Sequence, residues 1–174
     1  MIHVLLATLA IAAVSTLGDF MWATLHMRHR MVFGLAHGAI LFLCIGLCLG
    51  AASKRPAAGA IGGLIAGFAG AASYYVLAPF MRYRAMFVAW VLVWLALAML
   101  TGRLLRKDEA LSWTQVLVRG FAAAIGSGIA FYLISGIWRP FNPQGWDYAV
   151  HFLAWCLAFF PGFGALLPAS RPRA

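Results

Sequence analysis

Of the chain's 174 residues, 64% are hydrophobic and only 10% are charged, and the mean hydropathy is +0.91. No soluble globular core absorbs that much apolar surface, so the composition specifies a membrane protein, and 174 residues hold six spans of about 20 residues with short connectors and no separate soluble domain. The net charge of +9 comes from 13 Lys plus Arg against 4 Asp plus Glu; because the bases cluster where apolar runs end, anionic lipid headgroups are a simpler partner than nucleic acid.

Reading apolar runs against helix breakers predicts an all-α bundle of six membrane helices: Ile2 to Leu25, Met31 to Ala52, Ala57 to Phe80, Ala85 to Leu105, Trp113 to Ile137 and Tyr148 to Leu167. No Lys or Arg precedes the first run and its hydrophobicity continues past Asp19, so it reads as a retained span and not a cleaved signal. On that helix Thr16, Asp19, Trp22 or Ala23, and His26 follow helical spacing and form one polar stripe. A carboxylate there is expensive, up to about 2.5 to 3.5 kcal/mol at a helix centre.

The first connector carries Met27-Arg28-His29-Arg30-Met31-Val32-Phe33, and 54 positions later the third carries Met81-Arg82-Tyr83-Arg84-Ala85-Met86-Phe87. That offset is about two spans plus two connectors, so both copies face the same side of the bilayer. The fifth connector, Trp138 to Trp146, keeps one arginine, Arg139. Three hairpins with Arg-bearing turns suggest an internal duplication; equally, Arg among Met, Tyr and Phe is how a chain anchors any turn at the interface.

On the second helix Arg30, Gly34, His37 and Ile40 or Leu41 form a stripe running inward, while Cys44 and Cys48 lie deeper, away from any acid or imidazole, and read as small core residues. With Cys156 they lack the pairing of a disulfide framework. The third helix has Gly59, Gly63 and Gly67, and the fifth has Gly120, Ala124 and Gly128, at four-residue spacing. Such faces let backbones approach closely in lipid, either within the chain or against a partner subunit or second copy. Ser112-Trp113-Thr114-Gln115 is a capping box that starts the fifth helix, where Ser127 belongs to the small packing face. The sixth carries Asp147, His151 and Trp155, and Pro161-Gly162 is expected to kink it or end it early.

An even number of spans puts both termini on the side of Lys54, Arg55, Arg103, Arg106, Lys107, Arg171 and Arg173; the other side has Arg28, Arg30, Arg82, Arg84 and Arg139. Seven bases against five orient the termini to the cytoplasm of a plasma (inner) membrane, with Arg119 able to snorkel to the same side.

His37 and His151 lie about 10 and 5 Å below the outer edge at 1.5 Å per residue, a depth comparable to that of Asp19 and His26. If the first, second and sixth helices are neighbours, these groups converge beneath an arginine collar, with Trp22, Trp138, Trp146 and Trp155 as walls. The expected ligand-binding set is Asp19, Trp22, His26, Arg28, Arg30, His37, Arg82, Arg84, Arg139, Trp146, Asp147 and His151. The expected function is binding or transport of a small anionic or zwitterionic molecule taken from the outer face.

Each residue also has a structural reading. Asp19 can pair with a nearby base, His37 can donate to a carbonyl across a helix contact, and Asp147 suits a helix first turn. Two further classes stay open: an enzyme acting on a lipid or polyprenyl phosphate, and a structural subunit. No H-E-x-x-H or E-x-x-H occurs, and Arg28 and Arg30 would repel a cation beside His26 and His29. The expectation is therefore no cofactor, with a transition metal or a haem on His37 and His151 as the alternative.

In helix number, chain length and outward pocket this organisation resembles the substrate-binding components of energy-coupling-factor vitamin transporters. The resemblance implies ligand capture from outside. It is architectural: the alanine ladder usual on their first helix is missing, since Ala7 is followed four on by Ile11 and Ala10 by Val14, and the Gly59, Gly63, Gly67 ladder would take its place.

Overall fold

The computed structural model describes residues 1–24, 29–82, 84–105, 111–137 and 147–167, without the side chains of Trp22, Arg30 and residues 131–137. Among the described residues there are six helices and no strand. They are α1 (Ile2–Thr24), α2 (Arg30–Ala52), α3 (Pro56–Met81), α4 (Arg84–Met99, continued by a π-helical segment Leu100–Leu104), α5 (Trp113–Ile137) and α6 (Asp147–Leu166). Five of them, α1 to α4 and α6, are long and apolar enough to cross a membrane.

The starts and stops follow local chemistry. Pro56 opens α3 at the first helical position, where its missing N–H is not needed. At α5 both halves of the capping box form: Gln115 N donates to Ser112 Oγ at 3.2 Å and Ser112 N donates to Gln115 Oε1 at 3.1 Å. Two turns each place a basic residue in the left-handed region, Lys54 at φ 58° and Arg82 at φ 52°. One expectation is corrected: α6 does not end at Pro161 but continues to Leu166. A proline costs that helix one hydrogen bond, and packing holds the next turn in place, because Gly126 of α5 faces the Pro161 ring and Gly162 lies against the Trp94 indole.

The helices form a ring in the order α1, α6, α5, α4, α3, α2, closed by α1 against α2. The α2–α3 contact is the most extensive and the α1–α2 contact the thinnest. At the first, glycines interlock from both sides: Gly38, Gly46 and Gly50 of α2 meet Gly59, Gly63 and Gly67 of α3. A Cβ added at Gly59 would stand 2.6 Å from Gly50 Cα, so only glycine allows this approach. The α5 ladder is used differently, with Gly120 against Leu95 and Ala98, and Gly128 against Phe87 and Trp90 of α4. The two ladders thus meet neither each other nor open surface; each is buried by a neighbour within the chain.

The core runs along α4. Trp94 is fully buried and stands edge-on to Phe163 of α6 at 6.4 Å, while Trp90 touches Phe42 of α2 at 6.0 Å and Phe159 of α6 at 5.9 Å. Ile11, Ile45, Leu49 and Leu97 fill the space around them. Across α5 and α6, Ser127 Oγ donates to the carbonyl of Ala158. Large apolar side chains such as Leu17, Ile40, Ile65 and Leu157 point outward, the inverse of a soluble surface.

Candidate functional site

The end of α1 and the starts of α2 and α6 meet at one end of the bundle, where the sequence places its costliest polar residue. Trp155 Nε1 donates to Asp19 Oδ2 at 2.7 Å, and His151 Nδ1 stands 3.1 Å from the same oxygen. An ionised carboxylate only accepts, so Nδ1 of His151 carries the hydrogen, and the imidazole is held in one orientation. His151 and Trp155 are four residues apart, one turn of α6, and the Asp19 oxygen fits between them.

Packing behind the pair fixes both partners. Trp155 stacks on Phe159 at 5.5 Å with the rings 17° apart, which ties its indole to the Trp90 core. The Tyr148 ring stands 6.3 Å from His151 and is itself met edge-on by Phe20 at 5.5 Å. On the α2 side, a Cβ at Gly18 would lie 2.5 Å from His37 Cε1 and 2.8 Å from its Nδ1. The His37 imidazole therefore occupies the place of a side chain at position 18, directly beside Asp19. One turn away, the Tyr75 hydroxyl of α3 lies in the corresponding gap at Gly34.

Asp19 keeps 27% of its side chain exposed against 16% for His151, and among the described residues only Oδ2 is bonded; Oδ1 accepts nothing. The group is thus a carboxylate anchored through one oxygen and presenting the other. Chemically this suits a ligand donor such as an ammonium, hydroxyl or amide N–H, and hydrogen bonds to a charged group contribute about 1.5 to 3 kcal/mol each.

The other expected site residues fall into two groups. Asp147 is exposed at the first turn of α6, one turn before His151, where the helix dipole favours an acid. Arg82 and Arg84 are exposed around the α3–α4 turn, and neither joins a hydrogen bond or ion pair with Asp19. His26, Arg28, Arg139 and Trp146 lie outside the described residues, as do Trp138 and the side chains of Trp22 and Arg30. The arginine collar is therefore placed only at Arg82 and Arg84. His29 is exposed and precedes α2 without capping it by its side chain. Among the described residues no group of three His, Cys, Asp or Glu is arranged to hold a metal.

Sequence reasoning missed Gly18 and Tyr75. A glycine next to the one acid inside α1 is a usable signal, because it opens the space that a facing side chain fills. Tyr75 has none, since its position opposite Gly34 depends on the α2–α3 register.

Comparison with known proteins finds no match to this chain among family models, curated proteins or solved structures.

Proposed function

We propose that the chain is a six-span protein of the plasma (inner) membrane, with both termini cytoplasmic, that binds or carries a small zwitterionic molecule from the outer face. The observation that carries this reading is the half-exposed Asp19 carboxylate, fixed on Oδ2 by His151 and Trp155 and open on Oδ1. An unfilled acceptor so close to lipid is costly unless something donates to it. Asp19 takes the cationic or hydroxyl end of the molecule, and the arginines at the same end, Arg82 and Arg84 with Arg28, Arg30 and Arg139, take its anionic end. The architectural likeness to vitamin-capturing membrane components agrees with this role but does not carry it.

A specific observation supports a second reading. A carboxylate holding Nδ1 of a histidine is the arrangement that orients a general base, so a lipid-phosphate enzyme using His151 is the alternative. Mass spectrometry of the detergent-purified protein separates them. A stoichiometric small polar molecule supports capture. Finding only bulk lipid, together with turnover of a lipid phosphate that Asp19→Asn abolishes, favours the enzyme.

A further inference from the structure

Hydroxyls on these helices normally satisfy themselves locally. Thr16, Thr24 and Thr101 each donate to the carbonyl four residues back at 2.8 Å, Ser73 donates to Gly70 O at 2.7 Å, and Ser127 reaches Ala158 across a helix contact. Two hydroxyls do not: Thr8 Oγ1 and Ser15 Oγ are buried without a hydrogen-bond partner, at 3% and 0% residue exposure. Both are on α1, and with Asp19 they fall at positions 8, 15 and 19, within about 40° of one another around the helix. Ser15 lies about 6 Å below Asp19 along the axis and Thr8 about 10 Å below Ser15. Each buried hydroxyl without a partner costs about 1 to 3 kcal/mol, a cost that back-bonding would remove.

The buried face of α1 is covered by α6 and, more thinly, by α2. Their ionisable side chains are Asp147, Tyr148, His151 and Cys156 on α6 and His37, Cys44 and Cys48 on α2, with His3 near the far end of α1. Asp19, His151 and His37 therefore hold the acid and imidazoles at one end of a line that continues only through hydroxyls. Resting on the membrane-spanning reading of α1, we infer that Asp19, Ser15 and Thr8 line a hydrated path that carries protons between the Asp19–His151 pair and the inner half of the bundle. Ser15 and Thr8 are acceptors and donors for waters that bridge the intervals. A hydronium gives its proton to the neighbouring water and finally to Asp19 Oδ1, leaving water behind and a neutral carboxyl that returns the proton to outside water. The second species handled at the site is then the proton, and capture of a ligand donor at Oδ1 competes with it.

The test needs no ligand. In a background with Cys44, Cys48 and Cys156 replaced by Ala, single cysteines are placed at Ser15, Thr8 and the equally buried, apolar Ile11, and treated with 2-aminoethyl methanethiosulfonate in liposomes. A thiol reacts as thiolate, which requires water, so Ser15→Cys and Thr8→Cys are expected to react at least about tenfold faster than Ile11→Cys. Equal rates overturn the path. In vesicles holding a pH dye under an imposed potential, the unsubstituted chain passes protons, and the near-isosteric Ser15→Ala with Thr8→Val slows the flux by about tenfold. No protein-dependent flux, or no slowing, overturns its proton role. Failure here leaves ligand retention at Asp19 unaffected, whereas failure of the capture reading appears as an unliganded protein whose cysteines still label.

Discussion

Gly63→Ala tests the α2–α3 interface in its most confined place. A methyl carbon there would stand 2.8 Å from Gly46 Cα and 3.0 Å from Gly46 N, and closer still to the Phe42 carbonyl oxygen. These are backbone atoms, so no rotamer change relieves them. Ordinary carbon contacts begin near 3.5 Å, so the helices must separate by about 0.7 Å. Because the same interface runs from Gly38 opposite Gly67 to Gly50 opposite Gly59, the loss spreads beyond one residue. Overpacking of this kind costs about 1 to 3 kcal/mol. Alanine also gains about 1 kcal/mol of helix propensity over glycine, which would mask part of the effect. Gly164→Ala supplies the reference, since a Cβ there meets nothing within 4 Å and it gains the same propensity. Thermal unfolding of the two variants in detergent should differ by about 2 to 12 °C, with Gly63→Ala lower. Adding Gly46→Ala to Gly63→Ala should cost less than the sum of the singles, since one separation relieves both clashes. Equal midpoints for Gly63→Ala and Gly164→Ala would refute the close approach.

Three other substitutions probe the site and the core. Trp155→Phe keeps the stack on Phe159 but removes the indole donor, so ligand retention should fall by about tenfold or more while the unfolding midpoint moves little; an unchanged retention contradicts the role of the Nε1 bond. Gly18→Ala drives a methyl into His37, so it should weaken ligand retention through α2, and replacing His37 by Ala in the same chain should recover stability; a Gly18→Ala protein identical to the parent in both readouts shows that the two do not touch. Ser127→Ala deletes the buried hydroxyl that links α5 to α6 and should lower stability by about 1 kcal/mol in chemical or thermal unfolding, with retention of ligand unaffected.

Most of the helical layout was legible because its signals are local. Pro56 at a first turn, the Ser112–Gln115 box and the bases at run ends all act within a few residues, and the six helices start and stop within one or two residues of the positions these signals give. The meeting of Asp19 with His151 was legible only conditionally. Helical spacing put Asp147, His151 and Trp155 on one stripe, but that α6 packs beside α1 is a property of the ring and is written in no single segment. The glycine ladders show the same limit. Four-residue spacing announces a close contact without its partner, and here α3 uses its ladder on α2, whose own glycines at 38, 46 and 50 were not read as a face. Pro161 misled because the rule for an isolated helix ignores what surrounds it, and α5 and Trp94 hold the chain straight through that turn.

The central claim is that the open oxygen of Asp19 is where the molecule is recognised. The direct measurement is native mass spectrometry of the purified protein beside Asp19→Asn, with unfolding of both samples followed in parallel. Asparagine keeps the shape and removes the charge, so the account expects the unsubstituted protein to carry a stoichiometric small polar molecule. It expects Asp19→Asn to hold it about 10- to 150-fold more weakly while remaining folded. A folded Asp19→Asn that retains the same molecule with the same affinity would contradict it.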